Sequence, residues 1–88
     1  MSVKREELLN TLRNILLRIG AGDADMVRNA DEQTELAGEL GLDSSAMLFL
    51  VIVLEEELNV VFKGVGINQL RTVRDVIDYI IAYKEKKS

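Results

Sequence analysis

Two stretches of the 88-residue chain repeat apolar residues at the spacing of an amphipathic helix. The first covers about residues 3–19, with Ser2 as a candidate N-cap and Gly20 just past its end. The last begins after Thr72, where Thr72 and Asp75 form the acidic variant of a capping box. Both are predicted to be helices that pack one apolar face on a core; those faces comprise Leu8, Leu12, Ile15, Leu16 and Ile19 in the first, and Val73, Val76, Ile77, Ile80 and Ile81 in the last.

A third stretch, residues 44–58, is predicted to be a helix that is apolar on every side of its first turns. Asp43 is a suitable N-cap, residues 46–54 are all apolar, and residues 55–57 are three glutamates. A helix that is hydrophobic all round is either central or has a surface that faces a partner. Since a chain of this length can hardly surround one helix, we expect part of the segment 47–49 to be exposed.

The two connections between these helices differ in length and character. Residues 20–43 form a long link whose apolar anchors should pack over the core, and a helical turn is expected near Leu36. Residues 59–66 read as an extended connector that leads into a short helical turn around residues 67–70. The pattern therefore predicts a single all-α domain over residues 1–88: a small bundle of three main helices and one short helix, with a long loop between the first and second helices.

The composition argues against catalysis by this chain alone. Histidine and cysteine are absent, so neither the usual neutral-pH base nor a thiolate nucleophile is available. A metal site would have to rely on carboxylates without thiolate or imidazole ligands, and none is predicted. The chain is therefore predicted not to be an enzyme.

Charge is distributed unevenly along the chain. The net charge is +2 over residues 1–22, −9 over residues 23–57 and +3 over residues 58–88. An acidic middle favours a basic protein partner, and it disfavours nucleic acid and a helix-turn-helix DNA binder, which need a basic recognition face. The N-terminus lacks a signal-peptide pattern, and the longest apolar run is about half of the roughly 20 residues that a membrane-spanning helix requires. We expect a cytoplasmic protein with no membrane insertion.

Ser44 and Ser45, at the start of the central helix, are the candidate chemical handles. A helix N-terminus offers unpaired amides and the positive end of a dipole, which stabilise a phosphate ester there. The segment "LGLDSSAMLFLVIVLEEEL" resembles the prosthetic-group segment of acyl carrier proteins, whose usual form is Leu-Gly-x-Asp-Ser-Leu followed by an apolar helix with an acidic end. Residues 40–44 match that pattern residue for residue, and "TVRDVIDYI" at residues 72–80 is similar to the last helix of the family.

The resemblance implies that Ser44 bears a 4′-phosphopantetheine arm that derives from coenzyme A and holds an acyl group as a thioester. Ser45 stands where the family usually has leucine. The implied partners are a phosphopantetheinyl transferase and the acyl-loading and acyl-transfer enzymes of fatty-acid, lipid or polyketide-type biosynthesis. The family also implies a monomer that delivers its cargo without performing the chemistry.

The resemblance assigns further residues to two roles. Recognition by the modifying synthase and by partner enzymes is implied for Asp43, Met47, Phe49, Glu55, Glu56 and Glu57. A pocket for the acyl chain, between the second, third and fourth helices, is implied for Leu50, Leu54, Phe62, Ile67, Leu70 and Val76. Each of these apolar residues is equally suited to the core, and only the set as a whole indicates a pocket.

Departures from the family pattern suggest a specialised carrier rather than the main fatty-acid one. Common fatty-acid carriers have acidic residues at the positions of Ala46 and Phe49, and others around their third helix, where this chain has Gly64, Val65 and Asn68. Fewer carboxylates weaken the attraction to basic partners, and an exposed Phe49 favours apolar contact instead. The alternative hypothesis is a non-catalytic helical interaction module of the same fold, with Ser44 unmodified.

Overall fold

The part of the chain that the structure describes folds into three long helices, one short helix and one 3₁₀ turn. The computed structural model describes residues 5–87, with the side chains of Ile67 and Lys87 excepted. In chain order the elements are α1 (Arg5–Ile19), α2 (Ala24–Arg28), α3 (Ser44–Leu58), the 3₁₀ turn (Ile67–Gln69) and α4 (Val73–Lys87). The predicted all-α architecture is confirmed. The start of the first helix at Val3 and its cap at Ser2 lie outside the described residues.

Local signals end α1 and begin α4 as the sequence predicts. Gly20 takes the left-handed conformation (φ +69°), so its amide bonds to the Leu17 carbonyl and the Ala21 amide to that of Leu16, which is a Schellman motif. At α4, the Asp75 carboxylate accepts from the Thr72 amide at 3.1 Å while the Asp75 amide donates to the Thr72 hydroxyl at 3.3 Å. The capping box is therefore formed in both directions.

The long loop between α1 and α3 is fixed to the core and to α4. Val27, Ala30, Leu36, Leu40 and Leu42 are all buried. The loop also pairs with the segment before α4, since the Leu36 amide donates to the Arg71 carbonyl at 2.9 Å and the Val73 amide to the Thr34 carbonyl at 3.0 Å. These contacts place residues 35–42 against the start of α3.

The loop contains the helical turn predicted near Leu36 and, before it, a short helix. At the turn, the Glu39 amide donates to the Glu35 carbonyl at 3.1 Å. The one short helix of the loop is α2, which the sequence analysis did not predict. Asp23 caps it by accepting from the amides of Asp25 and Met26, and Val27 anchors it to the core.

An ion-pair cluster joins the loop to both terminal helices. Arg5 bonds Glu32 at 2.6 Å and Asp78 at 2.8 Å, and Arg74 lies 3.7 Å from Glu32. The hydrogen bond from Arg5 holds the pKa of the Glu32 carboxyl below its usual value. Because the folded-state pKa is the lower one, the stabilisation is present at neutral pH and is lost as the pH falls through that value.

The core is aliphatic and is assembled from every long helix and from the loop. Its members are Leu8, Leu12, Ile15, Leu16, Val27, Ala30, Leu36, Leu40, Leu42, Met47, Leu50, Leu54, Val60, Leu70, Val73, Val76, Ile77 and Ile80. No helix in the described part of the chain is long and apolar enough to cross a membrane. Among the same residues, no group of three or more potential metal-binding side chains lies together.

Gly22 fits its position only without a side chain, so Gly22→Ala should destabilise the protein strongly. Its φ is +77°, and a Cβ atom there would lie 2.6 Å from the Leu40 carbonyl oxygen. Gly64 has the same φ but no atom within 4 Å of the corresponding position, so Gly64→Ala serves as the matched control. In urea denaturation, Gly64→Ala should cost about 1–2 kcal/mol for the left-handed conformation, and Gly22→Ala at least about 1 kcal/mol more for the backbone clash. Equal losses would contradict the close contact.

Candidate functional site

Ser44 is the first residue of α3 and its side chain is exposed. The preceding Asp43 has an extended backbone, and its carboxylate accepts a hydrogen bond from the Ala46 amide at 2.8 Å. The Met47 amide makes the first helical bond, to the Asp43 carbonyl at 2.9 Å. The amides of Ser44 and Ser45 therefore precede the helical ladder, at the positive end of the helix dipole.

A cleft of about 380 Å³ lies beside Ser44. Three parts of the chain form its walls: the end of the long loop, the first turn of α3, and the segment from the 3₁₀ turn to the start of α4. The lining residues are Glu35, Ala37, Gly38, Leu42, Asp43, Ser44, Met47, Asn68, Leu70 and Arg71. Ser44 belongs to this wall whereas Ser45, which is also exposed, does not.

The cleft combines an apolar floor with a charged rim. Leu42, Met47 and Leu70 are buried residues of the core. The ionisable residues of the lining are Glu35, Asp43 and Arg71, so Arg71 supplies its single positive charge. Such a lining suits a ligand with apolar and polar parts, and Arg71 is its one residue that can pair with an anionic group.

An exposed apolar stripe extends along α3 from the same end of the helix. Leu48, Phe49 and Ile52 are 52%, 51% and 50% exposed, which confirms that this helix leaves part of its apolar surface uncovered. Met47 is only 3% exposed, so its side chain packs in the core and lines the cleft but is not part of this stripe. It points to the core because the adjacent turns of the helix, at Leu50 and Leu54, pack there as well.

The three glutamates at the end of α3 have different environments. Glu55 accepts a hydrogen bond from the Phe62 amide at 2.8 Å and so fixes the connector that follows the helix. Glu57 pairs with Arg18 of α1 at 2.5 Å. Glu56 is exposed, on the same face of the helix as Ile52. Glu55 and Glu57 therefore contact other segments of the fold. Glu56 is the one of the three that faces solvent without an ion pair in the described part of the chain.

The residues expected to form an acyl-chain pocket lie mostly inside the core. Leu50, Leu54 and Val76 have 0% exposure and pack together in the core cluster. Phe62 is partly buried and stacks on Tyr79, with ring centroids 4.5 Å apart. Leu70 is the member of the set that lines the cleft beside Ser44, and the side chain of Ile67 lies outside the described part of the structure.

The sequence analysis missed two groups of residues at this site. Arg71 and Asn68 contribute to the cleft through the pairing between the loop and the segment before α4, for which no local pattern gives a signal. Ile52 lies one turn before Glu56 and shares its face with Leu48 and Phe49, but the sequence does not show which of the three glutamates marks the exposed face.

Comparison with known proteins agrees with this geometry. A family model described as "Phosphopantetheine attachment site" matches residues 7–80. The acyl carrier protein of Tropheryma whipplei (strain Twist) is 30% identical over 86 residues, which cover 96% of this chain and 99% of the relative. The acyl carrier protein of Acidothermus cellulolyticus is 29% identical over 82 residues, which cover 91% and 92% of the two chains. The chain therefore belongs to the acyl carrier protein family, and it is a carrier with a covalent 4′-phosphopantetheine group rather than an enzyme.

Proposed function

We propose that Ser44 bears the 4′-phosphopantetheine group and that the protein delivers an acyl or related thioester to enzymes of fatty-acid, lipid or polyketide-type biosynthesis in the cytoplasm. The observation that carries the proposal is the position of Ser44. Its hydroxyl is exposed, directly follows the Asp43 cap and lines the cleft at the start of α3. A phosphodiester there would lie at the positive end of the helix dipole, near unpaired amides, which fits the chemistry of the group.

The residues around Ser44 have separate tasks in this proposal. The bound group supplies a terminal thiol that can hold an acyl chain as a thioester. Asp43 fixes the first turn of α3 through its hydrogen bond to the Ala46 amide, so it sets the direction in which the Ser44 hydroxyl is presented to the modifying transferase. The chain itself needs no base, because partner enzymes perform the proton transfers.

The direct experiment is to locate the modification. The protein is incubated with coenzyme A and a broad-specificity phosphopantetheinyl transferase, and intact mass and peptide fragmentation are then measured. We expect one phosphopantetheine per chain, on the peptide that contains Ser44. A chain that stays unmodified, or that carries the group elsewhere, would overturn the proposal, and the first result would favour the interaction module.

We further propose that partner enzymes dock on the exposed stripe Leu48–Phe49–Ile52, next to Ser44, mainly through apolar contact. Asp43 and Glu56 lie at the two ends of this face and add negative charge for a basic rim on the partner. The roles of Glu55 and Glu57 are more simply explained by their contacts with Phe62 and Arg18. A partner recognised in this way differs from one that reads a dense acidic surface, which supports a specialised carrier with dedicated partners.

Phe49→Glu should make the protein a better substrate for the acyltransferase that loads the main fatty-acid carrier. Adding a carboxylate where common fatty-acid carriers have one should raise loading of the holo-protein by the acyltransferase of the main carrier, by roughly two- to fivefold for one exposed charge pair. The control is Val61→Glu, which adds the same charge at an apolar residue outside the stripe that is 48% exposed. The measurement is kcat/KM for acyl transfer. Wild-type protein that is already loaded as fast as the main carrier would contradict a specialised role, and equal gains from both variants would contradict the stripe.

A further inference from the structure

We infer that the cleft beside Ser44 is a docking site for the phosphopantetheine arm of this carrier, and that Arg71 holds the arm there by pairing with its phosphodiester. The inference rests on the proposed attachment at Ser44. It adds a defined place for the arm between visits to partner enzymes and names the residue that keeps it there.

One arginine in the described part of the chain differs from the others in lacking a partner. This part contains six arginines, and the side chains of five make contacts: Arg5 with Glu32 and Asp78, Arg13 with the Ala30 carbonyl, Arg18 with Glu57, Arg28 with Asp25, and Arg74 with Glu32. The Arg71 guanidinium makes no such contact among these residues. Arg71 and Ser44 line the same cleft, so the one described arginine whose side chain has no anionic or carbonyl partner belongs to the site that contains the proposed attachment point.

Arg71 is the one positive charge in a cleft that is otherwise acidic. The other ionisable residues of the cleft are Glu35 and Asp43, both acidic. A phosphodiester on Ser44 brings another negative charge to this rim, and without a cation it would be repelled from the cleft despite the favourable helix dipole. Arg71 offsets that repulsion, and a guanidinium is well suited to phosphate because it can donate two parallel hydrogen bonds.

The backbone of Arg71 is held in place before any ligand arrives. Its amide donates to the Asp75 carboxylate at 2.9 Å, and its carbonyl accepts from the Leu36 amide at 2.9 Å. The antiparallel bridge between Glu35 and Thr72 fixes the same segment. A pre-positioned backbone lowers the entropy cost of an ion pair, since only the side chain has to be ordered.

The cleft also suits the remainder of the arm. Its volume of about 380 Å³ is within the range of small-molecule sites, roughly 300–1,000 Å³. Beyond the phosphate, a pantetheine chain has a dimethyl-substituted carbon and two amides. Leu42, Met47 and Leu70 offer apolar surface, while Asn68 offers an amide that can donate and accept.

The test compares apo- and holo-protein by backbone amide NMR, with attachment first verified by mass. In the wild type, we expect shift changes on the wall that faces Ser44, at Ala37, Gly38, Asn68 and Leu70. Arg71→Gln removes the charge, with a shorter polar side chain, and should lower the ratio of docked to free arm roughly two- to fivefold; the changes at those four amides should fall with the docked fraction. Arg71→Lys should retain part of the effect.

Lys63→Gln is the matched control, because it removes one positive charge from an exposed residue that does not line the cleft. It should leave the shift changes as in the wild type. Apo spectra verify that each variant is folded. Changes confined to Ser44 and its sequence neighbours in the wild type, or unaltered changes in Arg71→Gln, would overturn the docking site while attachment at Ser44 stands. A chain that takes up no phosphopantetheine would overturn the proposed function instead.

Discussion

Ser44→Ala should abolish phosphopantetheine attachment, and Ser45→Ala should leave it intact. Both serines are exposed in the first turn of α3, so accessibility does not distinguish them. Their positions distinguish them, because Ser44 directly follows the Asp43 cap and lines the cleft, whereas Ser45 lies outside the cleft. A transferase that approaches along the cleft therefore meets the Ser44 hydroxyl. The measurement is intact mass after incubation with coenzyme A and the transferase.

The two variants differ only by which hydroxyl is removed, so they control for each other. Since both side chains are exposed, neither change should alter the free energy of unfolding by more than about 0.5 kcal/mol. Circular dichroism melting curves verify this. Continued modification of Ser44→Ala, or its loss in Ser45→Ala, would contradict the assignment.

The elements with strong local signals could be predicted from the sequence. Asp43 and the Thr72–Asp75 pair are caps whose hydrogen bonds involve neighbours along the chain, and both form as predicted. The short helix α2 was not predicted, although Asp23 caps it locally. Five residues are too few to show a helical repeat, and α2 depends on the burial of Val27 as well as on the Asp23 cap.

The orientation of α3 could not be predicted, because its apolar residues point in all directions. Which of them are covered depends on the positions of the loop and of α1 and α4 around the helix. Met47 is therefore buried and Phe49 exposed, although they are two residues apart in the same apolar run. The partners of the glutamates could not be predicted either. Glu55 bonds the Phe62 amide beyond the end of the helix, and Glu57 pairs with Arg18 of α1.

The candidate site was predicted in its local part alone. The Asp43-Ser44 motif led to the proposed attachment point, since its recognition depends on the residues of one turn. The cleft joins residues 35–38, 42–47 and 68–71, and the antiparallel bridge between Glu35 and Thr72 brings the outer two stretches together. A pairing of two short non-helical segments has no periodicity by which sequence reasoning could detect it.

Leu54→Ala should reduce the free energy of unfolding by about 2–5 kcal/mol, the usual cost of a leucine removed from a core. Leu54 lies on α3, is 0% exposed and packs in the core cluster. A domain of this size typically has a stability of about 5–15 kcal/mol, so the loss is a large share of the total. Urea denaturation followed by far-ultraviolet circular dichroism measures it.

Ile52→Ala is the matched control, because it shortens an aliphatic side chain on the same helix at a residue that is 50% exposed. It should cost about 1 kcal/mol or less, and equal losses would contradict the burial of Leu54.

Leu54→Ala also tests the acyl pocket that the family resemblance implies. Leu50, Leu54 and Val76 have no accessible surface, so an acyl chain that enters between them must displace packed side chains. An alanine at residue 54 leaves an apolar cavity, and such cavities bind apolar ligands. Acyl-loaded Leu54→Ala should therefore regain part of the lost stability relative to its unacylated form, whereas an equally unstable acylated form would exclude Leu54 from the wall of the pocket.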